Sequence, residues 1–204
     1  VLGIVSCKFN QNSAKQGGGT LLSSGGSLIY ILKSSFFKNA GSVGGVLKIN
    51  NIYTFRSLNS TYKFNYASIS GGVLNSQLSS IITITNSAFW SNKCTRDGGA
   101  LKVMHVLKLE IDSCLYSLNY AGNLGGVLQS LDVNRIRINC IKFVKNTAQS
   151  AGGGTISASS TIIMIVAECE FSYSKSLSTG GVLYVSGIIH AYITGKYMHG
   201  FGQC

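Results

Sequence analysis

The sequence predicts an all-β fold, a right-handed parallel β-helix of about seven coils of ~27 residues each. Three observations predict it. A glycine pair recurs at nearly constant spacing, an aromatic–Asn pair keeps phase with it, and short β-branched segments lie between them.

The glycine pairs are Gly18-Gly19, Gly44-Gly45, Gly71-Gly72, Gly98-Gly99, Gly125-Gly126, Gly153-Gly154 and Gly180-Gly181, each followed by two mostly apolar residues. Successive steps are 26, 27, 27, 27, 28 and 27 residues. Self-similarity at such a period marks a solenoid. The second marker is an aromatic residue with Asn three positions on. It appears as Phe9/Asn12, Phe36/Asn39, Tyr62/Asn65, Phe89/Asn92, Tyr116/Asn119 and Phe143/Asn146, and the seventh copy is Phe171/Ser174. Two positions after each Asn stands a small residue: Ala14, Gly41, Ala67, Cys94, Ala121, Ala148 and, after Ser174, Ser176.

Between the markers, Ile81-Ile82-Thr83-Ile84, Arg135-Ile136-Arg137-Ile138 and Ile162 to Val166 read as strands of 4 to 6 residues, too short for helices. Asn50-Asn51, Ser79-Ser80 and Ser159-Ser160 read as turns. One such unit cannot bury its own apolar face, but stacking coil on coil closes a continuous core. Each marker then has a physical role. The aromatic column stacks inside the rod. The Asn column sits at a bend, where each amide bonds its equivalents above and below. The glycine pair makes a corner whose φ values other residues resist. The seven coils span residues 1–187, and residues 188–204 form a partial eighth coil or a tail.

Composition agrees. Hydrophobic residues make up 45% and proline is absent, which suits unbroken backbone pairing. Charged residues are 11%, against about 25% in an ordinary soluble domain. The longest apolar run, Ile162 to Ala167, is far short of the roughly 20 residues a membrane-spanning helix needs. Seventeen Lys and Arg against six Asp and Glu give a formal charge of +11. One reading of that charge is attraction to a polyanion: an acidic glycan, a membrane surface or nucleic acid. The favoured reading is a thinly charged surface whose balancing acids lie elsewhere in a longer chain. The basic residues form no run of three, so nucleic acid is not the expected partner.

Gly-Gly-Ala-(Ile/Leu/Val) combined with Phe-x-x-Asn resembles the repeat of the chlamydial polymorphic outer-membrane proteins. It is similar also to repeats in very large ciliate surface proteins, and both look like the pectin-lyase-type β-helix. The match covers residues 1 to 187, with Val or Thr usual where the family has Ala and Ala100 the one agreement. The resemblance implies an extracellular or cell-surface region used for adhesion or as a stalk. It specifies function poorly, because β-helices carry lyases, hydrolases, adhesins and spacers alike.

Few residues remain for chemistry. The six carboxylates are Asp97, Glu110, Asp112, Asp132, Glu168 and Glu170. On the repeat register Glu110 lies one coil below Arg137, and Glu170 shares a column with Lys142, so both pairs read as cross-coil ion pairs. A polysaccharide lyase or hydrolase needs clustered carboxylates, and no trio falls on neighbouring coils. His105, His190 and His199 have no metal-ligand spacing. No catalytic residue, metal or cofactor is expected. Cys7, Cys114 and Cys169 share a column two residues before the aromatic, and Cys140 sits one position off it. They read either as buried thiols or as a cross-coil disulfide, Cys114/Cys140 or Cys140/Cys169. Cys94 occupies the small-residue column, and Cys204 is either unpaired or bonded to a partner outside the segment. Asn59-Ser60-Thr61 is a glycosylation sequon for a secreted chain.

Val1 to Val5 reads directly as strand with no capping helix, and the chain starts in mid-pattern. Open coil ends recruit other chains. The expectation is therefore flanking domains of a longer chain, or rods stacking end to end.

Overall fold

The computed structural model describes residues 1–199, and all their regular structure is strand. Every strand pairing in this parallel β-solenoid of about seven turns is parallel. Each residue lies over its counterpart about 27 positions on, as Leu101 does over Leu74 and under Leu128.

One coil shows the plan. Leu101–Asp112 is a long strand, Leu115–Ser117 carries the aromatic residue, and Tyr120–Ala121 follows the Asn corner. The first two kinds of strand belong to one 15-stranded sheet and the third to a six-stranded sheet. The large sheet folds back on itself because Ile156–Ser172 runs through the corner without a break.

The long strands differ from the short ones expected. Leu47–Leu58, Leu101–Asp112 and Leu128–Asn139 each run 12 residues. Asn51, His105 and Asp132 bend them midway with positive φ. The Ser-Ser and Asn-Asn signals thus mark a bend inside a continuous strand. Only the fourth coil breaks there, into Leu74–Gln77 and Ile81–Thr85.

The bends impose a residue rule. Nineteen non-glycine residues have φ between +48° and +58°, and they fall in three columns. One runs from Ser6 to Glu168 after the long strand, one from Gln11 to Tyr173 after the aromatic strand, and one from Asn51 to Ser160 in mid-strand. None of the nineteen is Val, Ile or Thr, although the chain is rich in them. A branched Cβ clashes hardest in the left-handed region. The fourth corner is the glycine pair. From the second pair on, its first member carries the positive φ, +75° at Gly44. Its second is a place of close approach: a methyl at Gly45 would fall on the carbonyl oxygen of Gly72 in the next coil.

The interior is three columns deep. Rings stack from Phe9 through Phe36, Tyr62, Phe89, Tyr116 and Phe143 to Phe171, with centroids 4.5 to 5.5 Å apart. Around them pack Leu47, Ile49, Phe55, Leu74, Ile82, Leu109 and Ile136, all buried. The small column, with Ala67, Cys94 and Ala121, forms a separate buried cluster beyond the Asn corner.

The Asn column forms a continuous ladder. The backbone N–H and Nδ2 of Asn65 both donate to Oδ1 of Asn92, each at 3.0 Å. Nδ2 of Asn65 also donates to the Phe36 carbonyl at 3.1 Å. The same double donation links Asn12 to Asn39, Asn39 to Asn65, Asn92 to Asn119 and Asn119 to Asn146. Asn39 through Asn146 are fully buried. Each amide thereby satisfies a corner N–H and a carbonyl that no strand partner reaches, which is what lets the bend be buried.

A second ladder has no counterpart among the sequence expectations. The N–H groups of Cys7, Ser34 and Ser60 donate to Oγ of Ser34, Ser60 and Ser87, and that of Ser87 reaches Sγ of Cys114 at 3.4 Å. Each hydroxyl or thiol bonds the carbonyl two residues earlier. Cys7 and Cys114 therefore act as rungs in a serine ladder. Ile141 interrupts it, and Cys169 bonds the Ala167 carbonyl beyond the gap.

After the seventh glycine pair, Leu183–His199 continues as strand over Ile156–Ser172, with register shifts at Val166/Cys169 and Cys169/Glu170. Cys204 lies outside the described residues.

Candidate functional site

The inward positions are occupied by stacking, so chemistry must come from outward columns. Three of them flank the Asn corner, one, two and four positions after the aromatic residue. The first carries Phe37, Lys63 and Trp90 on successive coils. The second, at positive φ, carries Lys38, Phe64, Leu118, Lys145 and Tyr173. The third carries Tyr66, Lys93, Tyr120 and Lys175. Alternation sets these side chains outward because their neighbours Tyr62, Phe89 and Asn92 point in.

The result is a strip of rings and ammonium groups along the rod. Phe64, Tyr66, Trp90 and Tyr173 are exposed, Tyr173 by 60%. Nζ of Lys38 lies 5.1 Å from the Phe37 ring centre, Lys63 5.1 Å from Trp90, and Lys93 4.9 Å from Tyr120. Phe37 and Phe64 meet edge to face at 5.7 Å. These three columns contain no Asp or Glu. Among the described residues, Lys38, Lys63, Lys93, Lys145 and Lys175 are in no ion pair. Five uncompensated charges on one strip make a local positive field. Along the chain these lysines stand apart, in no run of three basic residues. Their clustering becomes legible only when the outward columns are aligned on the repeat.

The carboxylates lie elsewhere and are mostly engaged. Asp97 is buried, 2.9 Å from Nζ of Lys102, and accepts from Nδ2 of Asn123 at 2.9 Å. Glu170 pairs with Lys142 at 3.2 Å, the expected cross-coil contact. Glu110 does lie opposite Arg137 in register. Its carboxylate instead meets Nζ of Lys108 at 2.9 Å, because residues two apart on one strand share a face. Asp112 accepts from Ser113 and Asn139. His105 meets Asp132 of the next coil at 3.2 Å, both half exposed. His190 is exposed, and the His199 side chain lies outside the described positions. Among the described residues no three His, Cys, Asp or Glu cluster to hold a metal.

Of the two readings of the cysteines, the thiol one matches the structure. Cys7, Cys94, Cys114, Cys140 and Cys169 are free thiols. Cys114 and Cys169 are buried, whereas Cys140 is exposed at a positive-φ bend. The step of one position off the column turns it outward, away from the other two. Burial pushes the Cys94 and Cys114 thiols from the ordinary 9.0 up to about 12, and Cys169 up to about 11. Asp97 adds to the effect at Cys94. All three are protonated near neutrality and poor nucleophiles. Asn59 is exposed at an outward bend.

Comparison with protein-family models, with curated proteins and with solved structures finds no match for this chain.

Proposed function

We propose that this chain is a structural and adhesive segment of an extracellular or cell-surface β-helix. The observation that carries the reading is the division of labour between its faces. The interior is given to the aromatic stack, the aliphatic columns packed around it and two ladders, which make a stiff rod. The outward corner beside the Asn ladder holds rings and unpaired lysines free for contact. The Gly-Gly and Phe-x-x-Asn repeat, resembling polymorphic outer-membrane passengers and the pectin-lyase-type β-helix, supports the same location. The exposed sequon at Asn59 suits secretion. The dispersed, mostly paired carboxylates favour contact over catalysis.

Beads coated with the chain test this reading. They are expected to be retained under flow on surfaces bearing extracellular glycans or matrix, without shortening those polymers. Retention no better than on bare surface, or progressive depolymerisation, overturns it. End-to-end association of rods belongs to the same proposal. Light scattering that stays monomeric at high concentration removes that part.

A second reading is favoured by the strip alone: a binding module for an acidic polysaccharide. Its charge, its exposed rings and its lack of acids support recognition of a polyanion.

A further inference from the structure

We infer that the aromatic–lysine strip beside the Asn corner is the binding site for an extended, carboxylate-bearing polysaccharide lying along the rod axis. The inference rests on the acidic-polysaccharide reading and gives it a place.

Three features carry it. The first is charge complementarity: Lys38, Lys63, Lys93, Lys145 and Lys175 have no acid among them. The second is repeat matching. Parallel coils set equivalent side chains roughly 4.8 Å apart, close to the advance per sugar in an extended 1,4-linked uronic-acid chain. From Phe37 in the second coil to Lys175 in the seventh the strip runs roughly 24 Å. A polymer can thus meet one lysine or ring per sugar, and several weak contacts add along one chain. The third is how the rings are presented. Lys38, Lys63 and Lys93 lie over the faces of Phe37, Trp90 and Tyr120. The exposed rings of Phe64, Tyr66 and Tyr173 stand in the same strip. A uronic-acid chain needs a cation for its carboxylate and ring surface for its C–H groups, which this arrangement offers side by side.

Trp90 is the only tryptophan in the chain and lies in the strip, so its fluorescence reports on the site directly. The test titrates the whole chain with polygalacturonate, with galacturonic acid monomer, with a neutral glucan and with oligothymidylate. The expected result is a saturable change in Trp90 emission with polygalacturonate. It should be weaker by at least about tenfold with monomer and absent with neutral glucan. Lys63→Gln with Lys93→Gln should weaken polygalacturonate binding by about tenfold, the worth of two modest charge contacts. Arg135→Gln with Arg137→Gln, on the long-strand face, should leave it unchanged. Both pairs are outward, and unchanged thermal unfolding checks that the rod is intact. Tighter binding of oligothymidylate than of polygalacturonate overturns the ligand class. Binding that survives the lysine changes but falls with the arginine pair overturns the site while leaving the binding reading standing. No polygalacturonate binding by any measure removes both.

Discussion

The middle coils and the seventh coil are built from the same repeat, yet they are not equally well made. From Asn39 to Asn119 every corner amide is bonded to the coil on each side and to a neighbouring carbonyl, whereas the Asn146 amide is bonded to the preceding coil. In the seventh coil Ser174 takes that place, and its buried Oγ has no partner. The aromatic stack crosses the same boundary undisturbed, Phe143 to Phe171 at 4.8 Å. Stacking asks only for a ring of about the right size. The ladder asks for a side chain that donates and accepts at a fixed reach, and serine is too short. Apolar columns therefore tolerate drift that polar columns do not.

The comparison can be broken most sharply by alanine at two rungs. Asn92→Ala removes bonds to both neighbouring coils and strands buried partners, and should cost about 3 kcal/mol. Asn146→Ala, whose upper neighbour is already Ser174, should cost about 2 kcal/mol. Urea unfolding measures both, and equal losses would show that the seventh coil is no weaker.

Alkaline pH probes the same contrast. In the unfolded chain the thiols ionise near 9.0, while in the rod Cys94 and Cys114 hold their protons to about 12 and Cys169 to about 11. The folded state then binds more protons than the unfolded one. This contribution is intact below pH 9 and is lost as pH rises through 11 to 12, at up to about 1.4 kcal/mol per pH unit per thiol. Cys94→Ala with Cys114→Ser suits the alanine and serine columns those residues occupy. This double variant should flatten the fall in unfolding midpoint between pH 9 and 10.5. An unchanged slope would mean that the thiols ionise normally in the fold.

Repair should also work. Ser174→Asn extends the ladder by a rung and is expected to add about 1 kcal/mol, read as a higher melting temperature. A neutral or negative change would place the weakness of the seventh coil in its register shifts instead.

The smallest test lies within one column. The Tyr62 hydroxyl bonds Ser57 Oγ at 2.8 Å, whereas the buried Tyr116 hydroxyl has no partner. Tyr116→Phe should stabilise by up to about 1 kcal/mol, and Tyr62→Phe should cost a similar amount by leaving Ser57 alone. Calorimetry on the pair decides it, and the same sign for both would refute the assignment.

The sequence by itself determined the coil count, the parallel register, the aromatic stack and the Asn ladder. Each is a column of like residues at constant spacing, and stacking converts spacing into contact. It determined the Lys142–Glu170 pair for the same reason. Only the tertiary structure decided features that depend on direction rather than spacing. Cys140 turns outward because a positive-φ bend falls on it, and Glu110 takes Lys108 because side chains two apart share a face. The serine ladder joins Cys7 to Cys114 through residues that carry no signal one at a time. The lysines of the strip stand apart in the chain and meet because each coil returns them to the same corner. A linear pattern fixes which residues lie over one another, but the bends between strands fix which way they face.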